Sequence, residues 1–282
     1  MTRLKIFLVS LLPHHLLSRI MLKLTHAKGL PFKRRIMHWY ARTYHLQMNE
    51  AVEENIDNYS SINALFTRAL KTDVRPVDTD DNCLVSPVDA AVSQAGSIKQ
   101  DKIFQAKTHD YSLNALLGGT GQRADEFANG KFATLYLSPH DYHRIHMPYA
   151  GTLRETIHIP GRLYSVAPDY VENVPGLFAR NERLVCIFDT DRGAMAVILV
   201  GAILVSSIET VWAGTIVPPR AKRVSVVDYS HSPQNIALAK GEELGRFNMG
   251  STVILLHSNS NFNWQDLRQD TRVVYGKTIA RL

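Results

Sequence analysis

In FNMGSTVILL (Phe247 to Leu256) a hydroxyl pair, Ser251 and Thr252, follows Gly250 directly and precedes an apolar run. Glycine adopts backbone geometries closed to other residues and lets a second group approach the main chain, so a serine beside it has access to the preceding carbonyl. The same letters also serve as a plain turn into a buried strand. A second stretch, YLSPHDYHRIHMPYAG (Tyr136 to Gly151), spaces His140, His143 and His146 three residues apart. Such a cluster can ligate zinc, supply a base or be structural. A metal site needs further ligands, however, and no Cys or Glu stands nearby at a recognisable spacing, so no metal is expected. In VSPVDAAVSQAG (Val85 to Gly96), Asp89 interrupts an apolar strand-like run. A carboxylate there is costly to bury unless it is paired, so the reading demands a partner. Ser251, an imidazole from His143 or His146, and Asp89 are together the parts of a nucleophile, base and orienter relay.

The elements that must position these residues follow from the rest of the chain. Its 282 residues, 45% hydrophobic and 21% charged, describe a folded globular protein. From Cys83 onward, short β-rich runs alternate with Gly, Pro, Asn and Asp, and DTDRG (Asp189 to Gly193) reads as a hairpin turn between two apolar strands. Helices are expected at YSSINALFTRALKTDVRPVD (Tyr59 to Asp78) and at SLNALLGG (Ser112 to Gly119). The fold class is therefore α+β, with an N-terminal helical arm (residues 1–58) on a mostly antiparallel β body (residues 59–282).

Charge is distributed unevenly. Residues 1–49 carry nine Lys/Arg and no acid, whereas the remainder has 23 Lys/Arg against 26 Asp/Glu. The basic end is also apolar: Leu16, Leu17, Ile20, Met21 and Leu24 share one helical face after LKIFLVSLL. A basic amphipathic segment of this kind lies in the interface of an anionic membrane, and Pro13 together with the short uncharged run argues against spanning. A secretory signal and a helical hairpin packed on its own protein are the competing readings. Nucleic acid is not expected as a partner, because no aromatic stacking platform accompanies the cations. The two cysteines, Cys83 and Cys186, form no CxxC pair, which points to a reducing compartment and, with the basic arm, to the cytoplasmic face of the cell membrane.

In order along the chain, NALFTRAL with RPVD, VSPVDAAVSQAG, DKIFQAKTHDYSLNALLGG, YLSPHDYHRIHMP, GRLYSV, IETVWAGTIVPP and KGEELGRFNMGSTVILL resemble the signature of the bacterial-type phosphatidylserine decarboxylases. The likeness runs from about Tyr59 to Leu256; the first 58 residues match in character more than in letters. Met249 stands where that family usually has Leu, a volume-conserving change. The resemblance implies that the Gly250–Ser251 bond breaks itself, giving a β chain of residues 1–250 and an α chain of residues 251–282. Ser251 Oγ would attack the Gly250 carbonyl; elimination from the resulting ester and release of ammonia would leave a pyruvoyl group on Ser251. It implies Asp89 and His146 as the orienter and base of that step. His143 is implied as a positioning or Cα-protonating residue. It further implies decarboxylation of phosphatidylserine through a Schiff base to phosphatidylethanolamine and CO2, at the membrane, by a homodimer of α/β heterodimers. The alternatives are a membrane-associated serine hydrolase using the same three residues, against which the missing G-x-S-x-G elbow speaks, and a non-catalytic lipid-binding module.

Overall fold

The computed structural model describes residues 6, 9, 12–106, 109–119, 121–203, 207–217, 223–250 and 252–282. The chain begins as helices and continues as antiparallel strands, the expected α+β arrangement. Two arm helices, His14–His26 and Lys33–Thr43, precede the short helix Ile62–Phe66. That third helix is much shorter than the one expected over Tyr59 to Asp78. Ser61 caps it by accepting from Ala64 N, and after Thr67 the chain turns extended, with Leu70 bridging to Ala51. Ser112 caps the expected second helix in the same way at Leu113–Leu116, where Gly118 and Gly119 take positive φ just beyond its end.

At the centre of the body lies a nine-stranded antiparallel sheet. Its strand Thr252–His257 runs between Gly193–Val200 and Lys131–Tyr136, with Thr252 opposite both Val200 and Tyr136. All six residues of this strand are buried, as are Ala194 to Val200 and Arg183 to Phe188 in the neighbouring hairpin. Both faces of these strands are covered, so they read as unbroken apolar runs rather than as alternating ones. The hairpin turns at the expected DTDRG, with Thr190 paired to Gly193. A separate four-stranded sheet holds Glu243–Asn248 between Ser207–Thr210 and Arg144–His146. The chain crosses from this sheet to the central one within three residues, 249–251.

The arm packs through its own apolar cluster. Met37, Tyr40, Ala41 and Leu46 meet Tyr59, Leu65 and Phe66, so the cluster joins the two sides of the residue-58 boundary. The first arm helix turns a polar face inward, burying His14, Ser18 and Thr25, while Leu16, Ile20 and Leu24 are 55, 46 and 45% exposed. Among the described residues no helix is long and apolar enough to cross a membrane.

Candidate active site

The crossing between the two sheets is conformationally unusual. Met249 and Gly250 both have positive φ, 83° and 79°. For methionine this is a strained conformation costing on the order of 1–3 kcal/mol, and it persists only where the surroundings impose it. Here the flanking strands do so, since Asn248 is fixed opposite Ser207 and Thr252 opposite Tyr136 and Val200. Ser251 itself, the expected nucleophile, lies outside the described residues.

His143 stands against this turn. A Cβ added at Gly250 would lie 3.4 Å from His143 Nε2 and 3.7 Å from Phe66 Cζ. His143 Nδ1 lies 2.8 Å from the Asp141 carbonyl, which can only accept, so Nδ1 carries the proton. Nε2 is therefore a lone pair, and it is buried with no hydrogen-bond partner among the described residues. Burial, opposed by that hydrogen bond, pushes the His143 pKa down to about 3, which keeps the ring neutral. Phe66 covers it at a ring-centroid distance of 3.9 Å. The loop carrying His143 is braced by Asp141, which accepts from Ser138 N at 2.7 Å and pairs with Arg272.

His146 lies farther along the same segment, in the strand Arg144–His146. Its Nδ1 donates to the Gly241 carbonyl at 2.9 Å, and its Nε2 accepts from the Tyr142 hydroxyl at 3.1 Å. Burial lowers its pKa to about 4. The Tyr275 ring stacks on it with centroids 3.8 Å apart.

Asp89 is buried and does have the cation that burial demands. Arg75 donates to it from Nε at 3.3 Å and from a terminal nitrogen at 2.9 Å, and Arg75 also holds Glu50 at 2.8 Å. Asp89 Oδ1 accepts from Tyr275 N at 2.8 Å as well. Asp89 and His146 are thus joined through Tyr275, whose backbone meets the carboxylate and whose ring meets the imidazole, rather than by a bond between them. The third histidine, His140, is half exposed beside Asp141 at 3.3 Å. Among the described residues no group of His, Cys, Asp or Glu is arranged to hold a metal ion.

Sequence reasoning missed Arg75, Tyr142 and Tyr275. Arg75 had a usable signal: a carboxylate in an apolar strand requires a cation, and Arg75 lies 14 residues upstream within RPVD. The two tyrosines had none, because Tyr275 reaches the site only through the strand pairing of residues 272 and 273 with Ala91 and Ala90.

The chain matches the family model described as phosphatidylserine decarboxylase over residues 62–281, and a second model, described as PSD, over residues 4–45. It is similar to the phosphatidylserine decarboxylase proenzyme of Ectopseudomonas mendocina (strain ymp), 50% identical over 98% of both chains. It is likewise similar to that of Azotobacter vinelandii (strain DJ / ATCC BAA-1303), 54% identical over 91% of this chain and 90% of the relative. A third such proenzyme, from Shewanella loihica (strain ATCC BAA-1088 / PV-4), is 52% identical over the same shares.

Proposed function

Because the chain belongs to the phosphatidylserine decarboxylase family, we propose that it is made as a proenzyme that cuts itself between Gly250 and Ser251 and then decarboxylates phosphatidylserine to phosphatidylethanolamine. The observation that carries the position of the cut is the strained turn at Met249 and Gly250, pinned between two sheets directly before Ser251. Ground-state strain at the bond to be broken, and a glycine that lets Ser251 Oγ reach its carbonyl, are what an internal acyl shift requires.

Ser251 is the nucleophile and His146 the base that takes its proton, once the Tyr142 hydroxyl releases Nε2. Asp89 acts on His146 through Tyr275 and through its charge, which favours the imidazolium that forms. The Gly241 carbonyl and the Tyr142 hydroxyl keep this imidazole in one tautomer until then, with the Tyr275 ring stacked on its face.

The pyruvoyl group that the cut would leave at position 251 would supply a ketone able to hold the substrate amine and to act as the electron sink as CO2 departs. The surroundings of Gly250 fit such a group, since His143 Nε2 has no partner among the described residues and the Phe66 ring packs beside it, both facing Gly250. His143 Nε2 is placed to take a proton from the substrate's ammonium and return it to Cα, which conserves the proton through the turnover.

The arm docks the enzyme peripherally on the membrane. Leu12, Leu16, Ile20 and Leu24 form an exposed ridge on and just before the first helix, and Phe32, Ile36 and Trp39 continue the exposed apolar surface at the second. Arg34, Arg35 and Arg42 stand beside Trp39 around one groove. Apolar side chains outward with cations beside them suit an anionic leaflet, in keeping with the cytoplasmic face. Assembly as a homodimer of α/β heterodimers is supported by the family resemblance.

The test is a paired assay on purified wild type and Ser251→Ala with phosphatidylserine in mixed micelles. Wild type should release CO2 and form phosphatidylethanolamine, and Ser251→Ala should do neither and remain one chain. Activity in an uncut Ser251→Ala protein would overturn the reading.

A further inference from the structure

Among the described residues two arginines are almost wholly buried, and they differ in one respect. Arg183 is 1% exposed, and its guanidinium donates to four backbone carbonyls, those of Leu116, Ala179, Asn181 and Ala115. Its donors are spent on the fold. Arg68 is 5% exposed, yet among the described residues its side chain makes one hydrogen bond, to the His140 carbonyl at 3.3 Å, and its buried Nε–H meets no acceptor. Among the described residues no carboxylate forms an ion pair with it, whereas its neighbours Arg75 and Arg144 are paired with Glu50 and Asp89 and with Glu243. Asp89 and Glu50 act on Arg68 only at a distance, being ion-paired to Arg75, and a buried guanidinium with no direct anionic partner among the described residues is expensive unless a ligand supplies one.

The location says which anion. Arg68 follows the helix whose last residue, Phe66, lies on His143 at a ring-centroid distance of 3.9 Å and faces the Tyr40 ring at 6.2 Å, and its charge acts on His143, Tyr40 and Tyr59. Tyr40 belongs to the arm helix that exposes Trp39. Arg68 thus lies between the reacting centre and the surface proposed to face the lipid. In a phospholipid with a serine headgroup, the phosphodiester occupies that same intermediate place between amine and glycerol.

Resting on the decarboxylase reading, we propose that Arg68 is the substrate's phosphate receptor, binding the phosphodiester oxygens through the donors the fold leaves unused. The substrate carboxylate is the poorer candidate. An interaction with it would be strongest in the ground state and lost as CO2 forms, which slows decarboxylation, whereas the phosphodiester keeps its charge throughout. A planar guanidinium also matches two phosphate oxygens at once.

The experiment uses full-length Arg68→Gln and Arg68→Lys beside wild type. Intact mass first reports whether each variant matures, a readout that involves no substrate. Matured Arg68→Gln should show KM for short-chain phosphatidylserine raised about 10- to 100-fold with kcat within a few-fold, and Arg68→Lys should recover part of the loss. Wild type should be inhibited by glycerophosphoethanolamine more strongly than by ethanolamine, and Arg68→Gln should lose that difference. Equal protection by inorganic phosphate alone would make this a free-phosphate site and overturn the headgroup assignment. Unchanged KM, a loss confined to kcat, or failure of both variants to mature would overturn the proposal itself. Wild type that neither matures nor turns over phosphatidylserine would instead sink the underlying reading.

Discussion

Asp89 and His146 share Tyr275 as a go-between, while His143 holds a lone pair beside Gly250 that has no partner among the described residues. The two imidazoles should therefore separate by function. His146→Ala should leave the protein as one chain, and His143→Ala should mature yet lose about 10²- to 10⁴-fold in turnover. Denaturing gels together with CO2 release measure both, and a matured His146→Ala with an uncut His143→Ala would exchange the roles. Gly250→Ala places a side chain at φ +79° and 3.4 Å from His143 Nε2. The added methyl crowds the carbonyl that Ser251 must reach, so maturation should slow severalfold in a pulse-chase, and wild-type kinetics would contradict the role given to Gly250 in admitting the nucleophile. That Asp89 needs a partner was legible in the sequence, and Arg75 supplies it; Gly250, Ser251 and the histidines read locally as a turn and as structural residues, and only the family resemblance singled them out. Their mutual arrangement was not legible, since a hydrogen bond such as that of Asp89 with Tyr275 spans 186 residues of sequence.

At the scale of elements, periodicity found the arm's apolar face but could not say which way it turns. The first helix buries His14, Ser18 and Thr25 and leaves Leu16, Ile20 and Leu24 outside. A water-soluble contact surface would show the reverse pattern, so the outward ridge is where the membrane reading can be attacked. Burying one Leu or Ile side chain fully is worth about 1.5–3 kcal/mol, so the triple change Leu16→Asp, Ile20→Asp and Leu24→Asp should abolish flotation with anionic vesicles. Maturation should be unaffected, because those three side chains lie far in sequence from the turn and point away from the body. Undiminished flotation would make the arm structural. The helix expected over Tyr59 to Asp78 shrank to Ile62–Phe66 because propensity ignores the bridge between Leu70 and Ala51, a tertiary contact that pulls the chain extended.

Considered as a whole, the molecule keeps the strand Thr252–His257, from its C-terminal segment, at its centre. Val253, Ile254, Leu255 and Leu256 are fully buried between two strands of the preceding segment, and Thr278–Arg281 pairs with Cys83–Val85. The two chains made by the cut should therefore copurify and part only in denaturant. The fold also carries a pH dependence. Burial holds His143, His146 and His257 at about 3, 4 and 4, against 6.5 for a free imidazole. The unfolded chain binds these protons more readily, so stability is full above about pH 6.5 and falls as pH drops toward 4. Urea midpoints of the uncut Ser251→Ala protein should decline across that window, and a flat series would contradict the buried neutral histidines. The β body was legible because its core strands are unbroken apolar runs, whereas the crossing between sheets at 249–251 is a topological fact that no local pattern encodes.

The central claim is most directly tested by the intact mass of the purified, denatured wild-type protein. The account predicts two chains, residues 1–250 and residues 251–282, the smaller lighter by one ammonia than simple hydrolysis would leave it. A single chain of full mass from a preparation that decarboxylates phosphatidylserine would contradict it, and Met249, Gly250 and Ser251 would then be an ordinary turn between two sheets.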